Sequence, residues 1–260
     1  MRKKKFIFPF LMIPVLAQAV IWHTGDILPM PQVPADSSRP DAAGLMSLCA
    51  EFPRRFCALS GWSPVYAAYG VQEGVLYIGF PGVDAGIRTQ YHRRMANHEI
   101  SAAFRILREE HIRAGLRLHY GLSGVRGYGR RQAASCSGNV MILPAPRWRI
   151  SLEARHALVF AGADTRIFEP SVRSALSYSL CGKFGAGLSM SRRQGLPWRT
   201  FIQLAWTPFP SLKLAAACEC RSGDLRLAAG LRIARWHIDE RLRFHPRMGF
   251  SHSIFLSYVY

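Results

Sequence analysis

Phe250-Ser251-His252-Ser253-Ile254-Phe255-Leu256-Ser257-Tyr258-Val259-Tyr260 ends the chain, and its pattern sets the reading of everything before it. Phe250, Ile254, Leu256, Tyr258 and Tyr260 fall at alternate positions, with His252 as the one break in that register. Ser251, Ser253 and Ser257 fill the other register beside Phe255 and Val259. Side chains of a strand alternate between two faces, so this is a strand with one apolar face and one mixed face. A strand that crosses hydrocarbon needs about 9–11 tilted residues and favours aromatic groups at the membrane boundary. The stretch therefore predicts the closing strand of a membrane β-barrel.

The same alternation runs back through the chain. Leu225, Leu227, Ala229, Leu231 and Ile233 oppose Arg226, Ala228, Gly230, Arg232 and Ala234. Trp198, Ile202, Leu204 and Trp206 oppose Arg199, Gln203 and Thr207. Ile112, Ala114, Leu116, Leu118, Tyr120 and Leu122 oppose His111, Arg113, Gly115, Arg117, His119 and Gly121. Joints such as Cys181-Gly182, Pro208-Phe209-Pro210 and Arg221-Ser222-Gly223 are tight, which predicts a meander of antiparallel strands. We expect an all-β, closed, up-and-down transmembrane barrel of 12–14 strands. Fourteen is favoured because single-chain bacterial barrels have even strand numbers. Phe56 to Ser60 predicts a weak first strand, and the next stretch, interrupted at Ser63-Pro64 and Gly70, reads as a loop or an inward hairpin. Ile100 to Ile106 fits a strand or a short helix. Gly124 to Ser137, rich in Gly, Arg and Ser, reads as a long exposed loop, followed by a short strand from Asn139 to Leu143 that Pro144 stops.

Bulk composition agrees. The chain has 260 residues, 49% of them hydrophobic, and its mean hydropathy is +0.04. That is too polar for a bundle of membrane helices, whereas a barrel hides its apolar surface in alternation. Of 34 basic residues five are lysines, so Arg supplies the rest of a formal net charge of +18. A basic chain suits nucleic acid, but beyond the N-terminus the arginines recur singly or in pairs on polar strand faces and form no single patch. This places them in a wet bore and argues against a nucleic-acid partner.

Residues 1–19 read as a signal peptide: Arg2-Lys3-Lys4-Lys5, an apolar run from Phe6 to Leu16, then Ala17-Gln18-Ala19 as a small-x-small cleavage site. Residues 20–50, with Pro29, Pro31, Pro34 and Pro40, read as an extended lead-in or partial plug, and 51–260 as the barrel. Export permits disulfides, but the spacing of Cys49, Cys57, Cys136, Cys181, Cys218 and Cys220 defines neither a disulfide framework nor a metal site.

The stretch from Arg173 to Tyr260 resembles the C-terminal half of FadL-like and PorV-like outer-membrane proteins of the Bacteroidetes type. The likeness is most specific over His245-Pro246-Arg247-Met248-Gly249 and the closing strand: a Gly, a Ser-His pair, alternating apolar residues and a final aromatic. Leu225 to Leu231 is similar to that group's penultimate Gly-containing strands, and Tyr91 to Leu122 resembles its paired middle strands more loosely. The group's Asn-Pro-Ala motif is absent, with Asp41-Ala42-Ala43-Gly44-Leu45 in that region. The resemblance implies passage of hydrophobic or small solutes across the outer membrane of a diderm bacterium, or an accessory role in protein export of the type IX kind. The alternative is a docking barrel that binds a secreted or periplasmic partner without transport. Expected partners are outer-membrane lipid, the barrel-assembly machinery acting through the C-terminal strand, and a hydrophobic small molecule or secretion-system component.

Candidate chemistry is sparse. No cofactor or metal is expected. His111 and His119 lie about 27 Å apart along one strand, too far to share an ion. Ser251 and Ser253 share a face that His252 does not, so a serine hydrolase built there, with Asp239 or Glu240 as orienter, lacks its base, and no catalytic residue is assigned. A charge on the lipid face at mid-depth costs about 2–4 kcal/mol, so Arg88, Arg113, Arg117, His119, Arg149, Arg155, Arg173, Arg199, Arg226 and Arg232 are expected to face the bore. An open bore of that composition favours anions, while pairing of these arginines to Glu99, Glu153 and Glu219 would fill it instead.

Overall fold

A computed structural model describes residues 56–65, 70–93, 95–127, 129–160, 168, 170–246 and 249–260. The signal peptide and the lead-in of the sequence reading lie outside these residues. Fourteen strands follow one another: β1 Cys57–Val65, β2 Val71–Phe80, β3 Val83–His92, β4 Met95–Arg108, β5 Ile112–Val125, β6 Gly129–Ala145, β7 Trp148–Phe160, β8 Ser171–Cys181, β9 Phe184–Arg193, β10 Arg199–Phe209, β11 Leu212–Glu219, β12 Leu225–Ile233, β13 Trp236–His245 and β14 Gly249–Val259. Each pairs antiparallel with the next, and β14 returns to β1, so the sheet is a closed up-and-down barrel. The seam runs from Cys57 opposite Val259 to Trp62 opposite Ile254. Beyond it the Tyr260 amide donates to the Phe56 carbonyl at 3.0 Å. Closure leaves no unpaired edge.

Alternation becomes two surfaces. One register of nearly every strand is exposed and apolar, as in Leu76, Ile87, Leu188, Ile202 (54% exposed), Leu227 and Ile254. The other register is enclosed and mostly polar. In β10, for example, Phe201, Gln203 and Ala205 are buried while Ile202, Leu204 and Trp206 are exposed. No helix among the described residues is long and apolar enough to cross a membrane.

Aromatic side chains ring both ends of the apolar surface. At the end that carries the chain termini, ring pairs form between Trp148 and Tyr178 (4.6 Å), Phe184 and Trp206 (5.8 Å), Trp236 and Tyr258 (5.0 Å), and Phe56 and Phe80 (5.3 Å). At the opposite end lie Trp62 against His252 (6.0 Å), Tyr91 against His98 (5.7 Å) and Phe244 against Phe250 (4.8 Å). Trp198 to Trp206 spans eight strand steps, which at about 3.3 Å per step and a tilt near 40° gives roughly 20 Å of height. Two amphipathic rings around an apolar band of that order match the two boundaries of a bilayer. Turns at the end with the termini are as short as 81–82, 146–147, 182–183, 210–211 and 234–235, whereas 194–198 and 220–224 lie at the other end.

Several sequence expectations change or are resolved. Ser63 and Pro64 do not break the first strand, because β1 runs to Val65. The β14 ladder stops at Trp62, so the missing proline N–H meets no ladder acceptor on that side. Of the two readings of 100–106, strand and short helix, the strand is the one formed. Gly124 to Ser137 is not a long loop. Only 126–128 separates β5 from β6, and Gly129 to Ser137 pairs with Val125 back to Arg117. That half of β6 carries Arg130, Gln132, Ala134 and Cys136 on its outer register and Ala133, Ser135 and Ser137 on its inner one, so neither face shows the apolar signal. The same strand continues past Pro144 to Ala145.

The enclosed side is not uniformly polar. Cys57, Leu59, Val75, Tyr77 and Phe255 form a buried apolar cluster across β14, β1 and β2. Here the Phe255 ring packs against Gly61, where any Cβ would clash with it. The seam thus depends on a residue without a side chain opposite an aromatic one.

Candidate functional site: the charged enclosed wall

On β2 to β7 the enclosed polar groups form one continuous chain of hydrogen bonds and ion pairs. Gln90 Nε2 donates to Glu73 Oε2 at 2.6 Å, and Arg88 reaches the same carboxylate through Nη2 at 3.3 Å. Arg88 Nη1 lies 3.6 Å from Glu99 Oε2. Glu99 Oε1 is 2.7 Å from His119 Nδ1, and His119 Nε2 is 2.8 Å from Ser137 Oγ. An ionised carboxylate only accepts, so Nδ1 carries the proton and Nε2 accepts from the Ser137 hydroxyl. Ser137 Oγ also accepts the His156 backbone N–H at 3.0 Å. A β-bulge makes that last contact possible: three residues of β7 between Ala154 and Leu158 oppose Ser137 alone, and His156 sits at φ 50°. Its ring turns inward, where Nδ1 meets Ser135 Oγ at 2.7 Å and Phe168 stacks on it at 4.5 Å.

Beside this chain, Arg117 and Asp84 form a buried pair with Arg117 Nη2 at 2.9 Å from Asp84 Oδ1, and Arg117 Nη1 donates to Ser101 Oγ at 3.2 Å. Side-chain exposures of 3% and 0% mean that neither ion is solvated, so the pair depends on its mutual bond.

At the end of the barrel away from the termini a second cluster gathers on Asp224, the last residue of turn 220–224. Arg243 Nη2 (2.6 Å), Arg226 Nη2 (3.0 Å) and Arg199 Nη2 (3.1 Å) converge on its Oδ2. Arg199 also holds Glu219 at 2.6 Å, and Ser222 Oγ donates to Glu219 Oε2. Burial alone would raise the Asp224 carboxyl, but the Arg243 hydrogen bonds and the charges of Arg226 and Arg243 outweigh it and hold the group down at about 2. Arg226 and Arg199 also lie over the Phe201 ring, at 4.5 and 5.2 Å from its centroid.

The residues singled out from the sequence are distributed as follows. Arg199 and Arg226 are brought together on Asp224; Arg88 and His119 meet through Glu99; Arg117 pairs with Asp84. Arg155 Nε binds Glu153 Oε1 at 2.6 Å. Arg173 stands opposite Glu153 and Ser191, Arg149 opposite Ser177, and Arg113 opposite Arg108 and Met141. Arg232 is set apart near the termini, its Nε donating to the Ala234 carbonyl at 3.2 Å. In the closing strand Phe250, Ile254, Leu256 and Tyr260 are exposed, with Phe250 at 70%, and Tyr258 packs edge-on to Trp236. His252 sits edge-on to Trp62, while Ser253 Oγ donates to Ser63 Oγ at 2.7 Å on the enclosed side. Ser137, His156, Phe168 and Asp224 carry no sequence signal of their own: the first lies in a stretch that reads as loop, and the others gather at bulges and turns. Among the described residues no group of three or more His, Cys, Asp or Glu is disposed to hold a metal ion.

No family model and no curated protein sequence matches the chain. Solved structures do resemble it. The Ralstonia pickettii toluene transporter TbuX superposes with a TM-score of 0.58 at 8% identity, covering 85% of this chain and 94% of that one. A deltaS2 mutant of the monoaromatic hydrocarbon channel TodX gives 0.58 at 7% identity, covering 84% and 93%. The Acinetobacter baumannii outer membrane protein Omp33 gives 0.52 at 8%, covering 80% and 98%. The chain has the fold of outer-membrane barrels. In an outer-membrane barrel the exposed Leu, Ile and Trp side chains need no protein partner, because the solvent at that surface is hydrocarbon. The clusters on Asp224 and around His119 then lie on the side of the sheet that hydrocarbon does not reach.

Proposed function

We propose that this protein resides in the bacterial outer membrane, with lipid around its apolar band, and passes small solutes through a bore that favours anions. The observation that carries the reading is the charge sum of the enclosed wall. Glu73, Asp84, Glu99, Glu153, Glu219 and Asp224 are matched by Arg88, Arg117, Arg155, Arg199, Arg226 and Arg243, with which they are in contact. Arg113, Arg149, Arg173, Arg232 and Arg241 then stand against Asp239, so the wall sums positive whatever each of them bonds to. A positive wall in a low-dielectric shell attracts anions and repels cations. Likeness to channel barrels supports passage in general. The apolar cluster of Cys57, Leu59, Val75, Tyr77 and Phe255 favours a second reading, in which the cargo is a hydrophobic small molecule.

Reconstitution into planar bilayers tests this. Under a potassium chloride gradient the reversal potential is expected to move toward that of chloride, and Arg149→Glu with Arg173→Glu is expected to move it back. A barrel that conducts with cation preference overturns the anion reading. A barrel sealed to ions but permeable to monoaromatic solutes supports the second reading. One sealed to both supports a docking barrel, with a secreted or periplasmic partner or a role in protein export.

A further inference from the structure

Ser137, His119 and Glu99 stand on three adjacent strands in the spatial order of an activated serine. The distances are 2.8 Å from Ser137 Oγ to His119 Nε2 and 2.7 Å from His119 Nδ1 to Glu99 Oε1. Both lie within the hydrogen-bond reach that a nucleophile requires of its base, and a base of its orienter. The diagonal arrangement is a consequence of register. His119 is directly opposite Ser101 on β4 and Ser135 on β5's other neighbour, while Glu99 is opposite Gly121, whose lack of a side chain leaves the carboxylate room to reach the imidazole. With a neutral imidazole, Glu99 fixes the tautomer and Nε2 faces the hydroxyl as an acceptor, while Ser137 Oγ also accepts the His156 amide N–H, which holds it in place.

We infer that Ser137 is the nucleophile of a serine esterase site on the enclosed wall, with His119 as general base and Glu99 as its orienting carboxylate. The substrate class is a carboxylic ester with a short acyl chain. Phe168 stacks over His156, whose amide bonds to Ser137, and packs with Ala133 and Val159, so the apolar surface nearest this group of residues is small. In the first step Ser137 Oγ bonds to the ester carbonyl carbon, and its proton passes to His119 Nε2. The carbon–alkoxy bond then breaks and the alkoxide leaves with that proton as the alcohol. Water attacks the acyl-serine, giving its proton to His119; the acyl–Oγ bond breaks, the carboxylic acid departs and Ser137 recovers its proton. No electron transfer or further co-reactant is needed. The inference goes beyond solute passage and does not rest on it.

The test uses the full chain extracted in detergent, with folding of every variant checked by its heat-dependent gel shift. A fluorophosphonate probe is expected to label the wild type, with the adduct on Ser137 by peptide mass spectrometry. Labelling should be absent in Ser137→Ala, fall by at least about 10²-fold in rate in His119→Ala, and persist in Ser251→Ala. Hydrolysis of p-nitrophenyl acetate should follow the same order and fall in Glu99→Gln. A folded wild type that takes no label, an adduct on any other serine, or full labelling of Ser137→Ala overturns the inference. Should Ser137→Ala fail to fold, the adduct position in the wild type decides. A conducting wild type without label defeats the esterase site and leaves solute passage standing.

Discussion

Single residues carry much of the stability of the enclosed wall, and Asp224 shows how. Its side chain has no solvent exposure, yet three guanidiniums meet on one oxygen. A buried carboxylate is tolerable only with such partners, and charge-assisted bonds of this kind are the strong ones. Because its folded pKa of about 2 lies below the ordinary 3.8, the contribution is complete above pH 4 and is lost as pH falls toward 2. The shift corresponds to about 2 kcal/mol. Unfolding by urea should therefore show wild type more stable than Asp224→Asn near neutral pH, with the difference collapsing between about pH 4 and pH 2. A difference that stays constant over that window would mean the carboxylate is not held by its charge.

At the scale of the strand, the determinant is which register meets hydrocarbon. Ile202 is midway between Trp198 and Trp206 on β10 and is 54% exposed. Phe209 is as exposed but sits at the rim of the same strand. Ile202→Arg should cost about 2–4 kcal/mol in reversible unfolding from liposomes, and Phe209→Arg no more than about 1 kcal/mol. Equal costs would place the membrane boundary elsewhere than at the aromatic rings. Strands with this two-sided contrast, such as β5, β10, β12 and β14, were legible from residue order, because their outer registers are apolar at nearly every step while their inner ones are mostly polar or small. The first half of β6 was not. Arg130 to Ser137 offers small and polar groups to both sides, and it is strand only because β5 presents a long partner to pair with. Ser137 was hidden for that reason, whereas His119, on a strand of clear contrast, was found.

For the whole molecule, closure is the cooperative event. Removing 249–260 would leave β1 and β13 as two open edges in a medium that offers their amides and carbonyls no partner. The truncated chain is expected to show no heat-dependent gel shift after refolding into detergent. A normal shift would mean that the barrel closes without β14. The three carboxylate-centred clusters, on Asp84, Glu99 and Asp224, instead draw their partners from neighbouring strands of the meander, so they depend on strand register and not on the seam.

Residue order alone determined the all-β class and a count of twelve to fourteen strands, and it led us to expect the arginines on the enclosed side. These follow from a period of two and from the cost of charge in hydrocarbon, both of which are local. Tertiary structure alone decided which carboxylate each guanidinium met, that Phe255 would rest on Gly61, and that Ser137, His119 and Glu99 would align. Those outcomes depend on register and on one β-bulge, and register is a property of paired strands, which no single strand's pattern contains.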